Sequence, residues 1–120
     1  MKTITLPCKP YQGRRKFMPQ AQIVKICQPL VERCCKATGY EYKSLIAKQT
    51  RDRRLIRARM ALAHVAIAAG ITQANAAEIS GMSYHTAHWS HWRARGLYET
   101  DEKFRELCNF IAGNQTTEKP

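Results

Sequence analysis

Residues 51 to 95 read RDRRLIRARMALAHVAIAAGITQANAAEISGMSYHTAHWSHWRAR, and the choice of fold turns on this stretch. A dense basic run opens one helix, and two further helical segments follow, separated by Gly81, Met82 and Ser83. Gln73, Ala77, Gly81, Met82 and Ala87 stand at the positions a helix-turn-helix requires. Ala77 is small enough for two helices to cross closely, and Gly81 can adopt the positive φ that reverses the chain. Met82 and Ala87 can fill the wedge, and Ser83 can cap the second helix, expected over Tyr84 to Arg95. That helix is the one a DNA major groove would receive. The competing reading is an ordinary helical hairpin, against which the adjacent basic run weighs.

The chain around this stretch has 120 residues, which suits one domain with a modest core plus mobile ends. It carries 20 Lys and Arg against 9 Asp and Glu, a formal charge of +11, and a pI of about 9.8. Such an excess opposes a compact state by self-repulsion unless a polyanion is the partner, so nucleic acid leads the partner classes. A membrane surface is the competitor, but there is no long apolar span and no signal-peptide pattern. Cys8, Cys27, Cys34, Cys35 and Cys108 are odd in number and lack a repeated spacing, which fits free thiols in a reducing cytosol. Zinc would want paired short spacings such as C-x-x-C, and none occurs.

Residues 1 to 20 hold Pro7, Pro10, Pro19, Gly13 and a basic knot at Arg14, Arg15 and Lys16. Proline removes amide donors, so no regular element is expected beyond a few residues around Ile4. This segment reads either as a disordered tail or as a flexible basic arm adding phosphate contacts. From Gln20 to Thr38, Ile23, Ile26, Cys27, Leu30, Val31 and Cys34 recur at helical spacing. Pro29 either kinks one long helix or sits in the first turn of a shorter one. Gly39 marks the stop, and Glu41 to Lys48 reads as a short helix burying Tyr42, Leu45 and Ile46.

The next helix, about Arg53 to Ala69, places Leu55, Ala58, Leu62, Val65 and Ala69 on one stripe. Arg53, Arg54, Arg57 and Arg59 crowd its first turns, where cations oppose the helix dipole. Phosphate binding would explain that placement; a solvated basic face is the plainer account. His64 reads as a residue at the edge of the core. Gly70 ends this helix, and Thr72 caps a short one reaching Ser80. Gly96 is expected to stop the following helix, and Thr100 to cap the last, with Asp101 and Glu102 in its first turn. Phe104, Leu107, Cys108 and Ile111 form the last core stripe. No sheet is expected, and residues 113 to 120 read as a polar tail.

The run RDRRLIRARMALA, the SYHT near the start of the proposed reading helix, and DEKFRELCNFI resemble the C-terminal DNA-binding domain of the bacterial replication initiator DnaA. IVKICQPLVERCCKATGYEYKSLI likewise resembles that domain's leading helix and its short follower. The resemblance spans about residues 22 to 111. It implies that an arginine of the basic run, here Arg59 with Arg57 as neighbour, enters the minor groove. The family's base-reading signature R-D-H-T-T-V, aligned without gaps, falls on Ser83, Tyr84, His85, Thr86, Ala87 and His88, and only His85 and Thr86 match. The gapless register sets His88 at a core valine position. A slip of one residue sets Ala87 there and Ser90 at the next small position, and packing favours the slip. Ala87, Ser90 and Ala94 then form one narrow buried face, with Tyr84, His85, His88, Trp92 and Arg95 opposite and Trp89 beside them. No G-x-x-x-x-G-K-[ST] loop is present, so DNA binding without nucleotide-driven assembly is expected.

His85, His88 and His91 repeat every three residues, but no Cys or carboxylate stands near in sequence to complete a metal shell. As base or phosphate contacts they fit better, and their protonation would strengthen binding as pH falls. Trp89 and Trp92 are either core anchors or exposed contact residues. No Ser-His-Asp, Cys-His or paired-carboxylate arrangement has a supporting frame, so no enzymatic activity, catalytic residue, cofactor or metal is expected.

The expectation is an all-α, compact helical bundle containing a helix-turn-helix: a basic arm (1–20), a DnaA-C-terminal-domain-like unit (21–112) and a polar tail (113–120). Arg51, Arg53, Arg54, Arg57 and Arg59 would hold phosphates and reach the minor groove. Ser83, Tyr84, His85, Thr86, His88 and Trp92 would face the major groove of double-stranded DNA. The role expected is a small site-occupying regulator of transcription or replication, of the kind a phage or mobile element encodes, in the cytoplasm with the nucleoid. The alternative is a module that binds a protein partner through exposed Trp and basic surfaces. Oligomeric state, recognised sequence and direction of regulation are left open.

Overall fold

A computed structural model describes residues 11–12, 17–46 and 52–113, with the side chains of Tyr11, Gln12, Phe17, Met18 and Tyr84 outside the description. Six helices follow in order: α1 (Gln20–Thr38), α2 (Tyr42–Leu45), α3 (Arg53–Ala68), α4 (Gln73–Ser80), α5 (Tyr84–Thr100) and α6 (Glu102–Ala112). They form the all-α bundle that the periodicity predicts. Before them, Tyr11–Gln12 and Phe17–Met18 pair antiparallel, Tyr11 opposite Met18. That small ladder corrects the expectation of no sheet. The rest of the N-terminal arm, including Arg14, Arg15 and Lys16, and the tail from 114 lie outside the described residues, as do Arg51 and the end of the expected Glu41 to Lys48 helix.

The bundle is built round α3. Every residue from Ala58 to Ala63 is buried, where a surface helix would expose about half of such a run. Alanine makes this possible: Ala58, Ala61, Ala63 and Ala66 let α1, α4, α5 and α6 all pack against one axis. The expected single stripe is therefore too narrow a description of α3. Its N-terminus is capped by Asp52, which accepts from the Arg54 amide (2.9 Å) and from the Tyr40 hydroxyl (3.1 Å). One carboxylate thus offsets part of the unfavourable placement of the arginines beside the helix dipole.

α1 runs unbroken through Pro29, resolving the two readings in favour of one long helix. An interior proline costs about 3 kcal/mol in an isolated helix. Here Ile23, Cys27, Leu30, Val31 and Cys34 are all buried, and that continuous face holds the helix together. Gly39 ends α1 at φ 80°, and Arg33 Nε donates to the Ile111 carbonyl at 2.7 Å, pinning α1 to the last turn of α6. The buried thiols behave as small apolar groups: burial pushes Cys34 and Cys108 up to about 12. Cys27, Cys34, Cys35 and Cys108 are all unbridged.

Two boundaries differ from the sequence reading. α5 passes through Gly96 and ends at Thr100, and Asp101, not Thr100, caps α6 by accepting from the Phe104 amide at 3.1 Å. Leu97 and Tyr98 pack against the core just beyond Gly96, and that burial outweighs the roughly 1 kcal/mol a helical glycine costs. Thr100 is instead the last helical residue, its hydroxyl donating back to the Gly96 carbonyl at 2.8 Å.

Candidate nucleic-acid interface

The link from α4 to α5 is the three-residue turn read from the sequence. Thr72 caps α4 through the Asn75 amide (3.3 Å), and Gly81 reverses the chain at φ 75°. The Met82 amide closes the turn on the Ala77 carbonyl at 3.0 Å. Ser83 caps α5 by accepting from the Thr86 amide (3.1 Å), and its hydroxyl donates to Thr86 Oγ1 (2.8 Å). The turn is clamped from outside as well. A Cβ on Gly81 would lie 2.8 Å from the Ile46 Cα, and the Tyr42 hydroxyl donates to the Ile79 carbonyl at 2.7 Å. The end of α2 is therefore pressed against the end of α4 and the turn that follows it.

α5 rests on the bundle through Ala87, Ser90 and Ala94, the narrow face of the slipped register. Three small residues at this spacing let the helix lie close while its large side chains point away. His85, Thr86, His88, Trp89, Trp92, Arg93 and Arg95 are exposed. The tryptophans are not core anchors: Trp89 is 59% and Trp92 57% exposed. Trp89 Nε1 donates to His85 Nε2 at 3.2 Å. The His85 and His88 rings both meet Trp89 nearly edge-on. The Arg95 guanidinium lies over the Trp92 ring, 5.2 Å from its centroid. No Asp or Glu occurs in the sequence between Glu78 and Glu99.

His91 leaves this group and turns inward. Its Nδ1 lies 3.4 Å from Nδ1 of half-buried His64, joining α5 to α3 at the core edge position read for His64. Burial, then the facing imidazole and Arg95, lower the His64 value; burial, then Arg95 and His88, lower that of His91. Among the described residues, no group of three His, Cys, Asp or Glu side chains is placed to hold a metal ion.

The basic run divides into three. Arg53 and Arg54 are free to solvent at the start of α3. Arg57 is exposed but paired with Asp101 at 2.8 Å, so it ties α3 to the α5–α6 junction. That ion pair and the backbone amides of the cap hold the Asp101 carboxyl below its ordinary value, the Phe104 amide most of all. Arg59, expected at the minor groove, instead lies buried. It is 7% exposed, and its Nε donates to the Leu45 carbonyl beneath the turn before α5. Burial lowers its pKa.

Arg54, Arg57 and Lys103 also rim a cleft of about 420 Å³ floored by Phe104 and Leu107. The sequence reading passed over Lys103, Arg93 and the Arg57–Asp101 pair, and it set Trp92 and Arg95 on one face without reading their stack. Only the stack had a local signal, its three-residue helical spacing. No helix among the described residues is long and apolar enough to cross a membrane. No protein-family model, curated protein or solved structure matches the chain.

Proposed function

We propose that the chain binds double-stranded DNA through a helix-turn-helix formed by α4 and α5, and acts as a site-occupying regulator of transcription or replication. The observation that carries this reading is the outward surface of α5. From Tyr84 to Tyr98 it bears His85, Thr86, His88, Arg93 and Arg95 and no carboxylate, above a buried face of small residues. A helix mounted in this way can enter a major groove without its supports colliding with the backbones. Arg53 and Arg54 supply phosphate contacts from the start of α3, with Arg57 available once its pair with Asp101 opens. Arg59 stays outside this set and braces α2 against α3. The net charge of +11 supports the same partner.

The test is duplex binding across a salt series, followed by selection of bound sequences from a random pool. Affinity should fall steeply with salt, and Arg53→Ala with Arg54→Ala should flatten the slope by about two units, roughly 0.9 for each phosphate-bound cation removed. A slope near zero would remove DNA as the partner. It would leave the second reading, a protein-docking module, which the exposure of Trp89 and Trp92 favours.

A further inference from the structure

Trp89 and Trp92 stand one turn apart on α5, each more than half exposed, and neither supports the fold. The helix is seated by Ala87, Ser90 and Ala94, so shortening either indole leaves that seat intact. Each ring is nevertheless held in place. Trp89 is tethered by its Nε1–H to His85 and flanked by His88. Trp92 carries the Arg95 guanidinium over its ring. Exposed indoles restrained in this way lose little side-chain freedom on meeting a partner.

The chemistry of the surroundings narrows that partner. Arg93 and Arg95 set a cationic field, and the nearest acidic positions in sequence are Glu78 and Glu99. The field selects a polyanion, and the indoles select a flat apolar group. A nucleobase on a phosphate chain satisfies both. Inside an intact duplex, base faces are stacked on one another and only base edges meet the grooves. An indole face therefore finds its stacking partner in a base that has lost its pair.

We infer that Trp89 and Trp92, with Arg95, form a stacking platform for unpaired bases, so that the nucleic acid engaged by α5 includes a melted or single-stranded segment. This rests on the reading of α5 as a nucleic-acid surface and names the substrate form that surface takes.

The experiment titrates the full chain with a thymine oligonucleotide of roughly 15 nucleotides, a site size typical of such platforms, and with a duplex of equal length. Intrinsic Trp fluorescence and the anisotropy of an end-labelled strand are followed together. The oligonucleotide should quench Trp emission on binding. Trp92→Ala should weaken single-strand binding roughly tenfold, with Trp92→Phe restoring most of the loss, and should weaken duplex binding clearly less than single-strand binding. Circular dichroism melts of both variants should match the parent. Duplex binding without oligonucleotide binding or quenching would overturn the platform and leave the duplex reading standing. Equal losses on both nucleic acids would reduce the indoles to general attachment and also overturn it. Failure to bind either form would remove α5 as a nucleic-acid surface altogether. Trp-dependent binding of a polyglutamate peptide in place of the oligonucleotide would overturn it too, by assigning the indoles to a protein partner.

Discussion

Gly81 and Arg59 both meet the end of α2, Gly81 from the turn after α4 and Arg59 from α3. Gly81 combines a left-handed φ with a close backbone approach, and either alone would favour glycine. Gly81→Ala is expected to cost at least about 2 kcal/mol, from the left-handed penalty and displacement of Ile46. A urea titration checks this, and a loss below about 0.5 kcal/mol would mean the α2 contact yields easily. Arg59→Ala should also destabilise, by about 1–3 kcal/mol, because it removes a buried donor to the Leu45 carbonyl. The exposed Arg53→Ala should stay within about 0.5 kcal/mol of the parent. If Arg59→Ala instead leaves stability unchanged and flattens only the salt slope of DNA binding, the buried brace is not its role. The glycine was legible in sequence because a turn residue between two helical patterns has few alternatives. The inward arginine was marked only by its spacing, one turn after Leu55 and one before Leu62 on the apolar stripe, and its place in a basic run masked that signal.

At the scale of the element, α5 is where sequence and structure diverge most instructively. Its start was legible: Ser83 is a good cap and Ala87, Ser90 and Ala94 are small at helical spacing. Its end was not, because Gly96 and Thr100 are ordinary stop and cap residues. What overrides them is distant in sequence, the burial of Leu97 and Tyr98 and the pairing of Asp101 with Arg57. Gly96 lies inside a regular helix, and an added methyl would meet no heavy atom within 4 Å. Gly96→Ala should therefore stabilise by about 0.5–1 kcal/mol, read as a raised Tm. The His64–His91 contact sets a pH dependence on the same helix. Both folded values lie below the ordinary 6.5, so the unfolded chain takes up protons first. Their contribution is full above pH 6.5 and is lost as pH falls through the lowered folded values. Urea midpoints should therefore decline below about pH 6.5, and His64→Leu should flatten that decline. An equal decline in this variant would place the acid sensitivity elsewhere.

For the whole molecule, the charge that recommends a polyanion also works against compaction. Added salt screens that repulsion, so thermal stability should rise with ionic strength over the same range in which the proposed DNA binding should weaken. Parallel melting and binding series in sodium chloride check the opposed trends. Stability that falls with salt would mean specific pairs such as Arg57–Asp101 outweigh the general field. Cys27, Cys34 and Cys108, sealed between α1, α3 and α6, have a further consequence. A thiol reacts with alkylating reagents as thiolate, and at neutral pH the native interior offers almost none. Modification of these three positions therefore records each opening of the bundle as a permanent mass tag. A brief pulse of reagent, read by mass spectrometry at successive times, becomes a clock for core exposure that needs no introduced label. Adding DNA should slow that clock by the factor that binding contributes to stability.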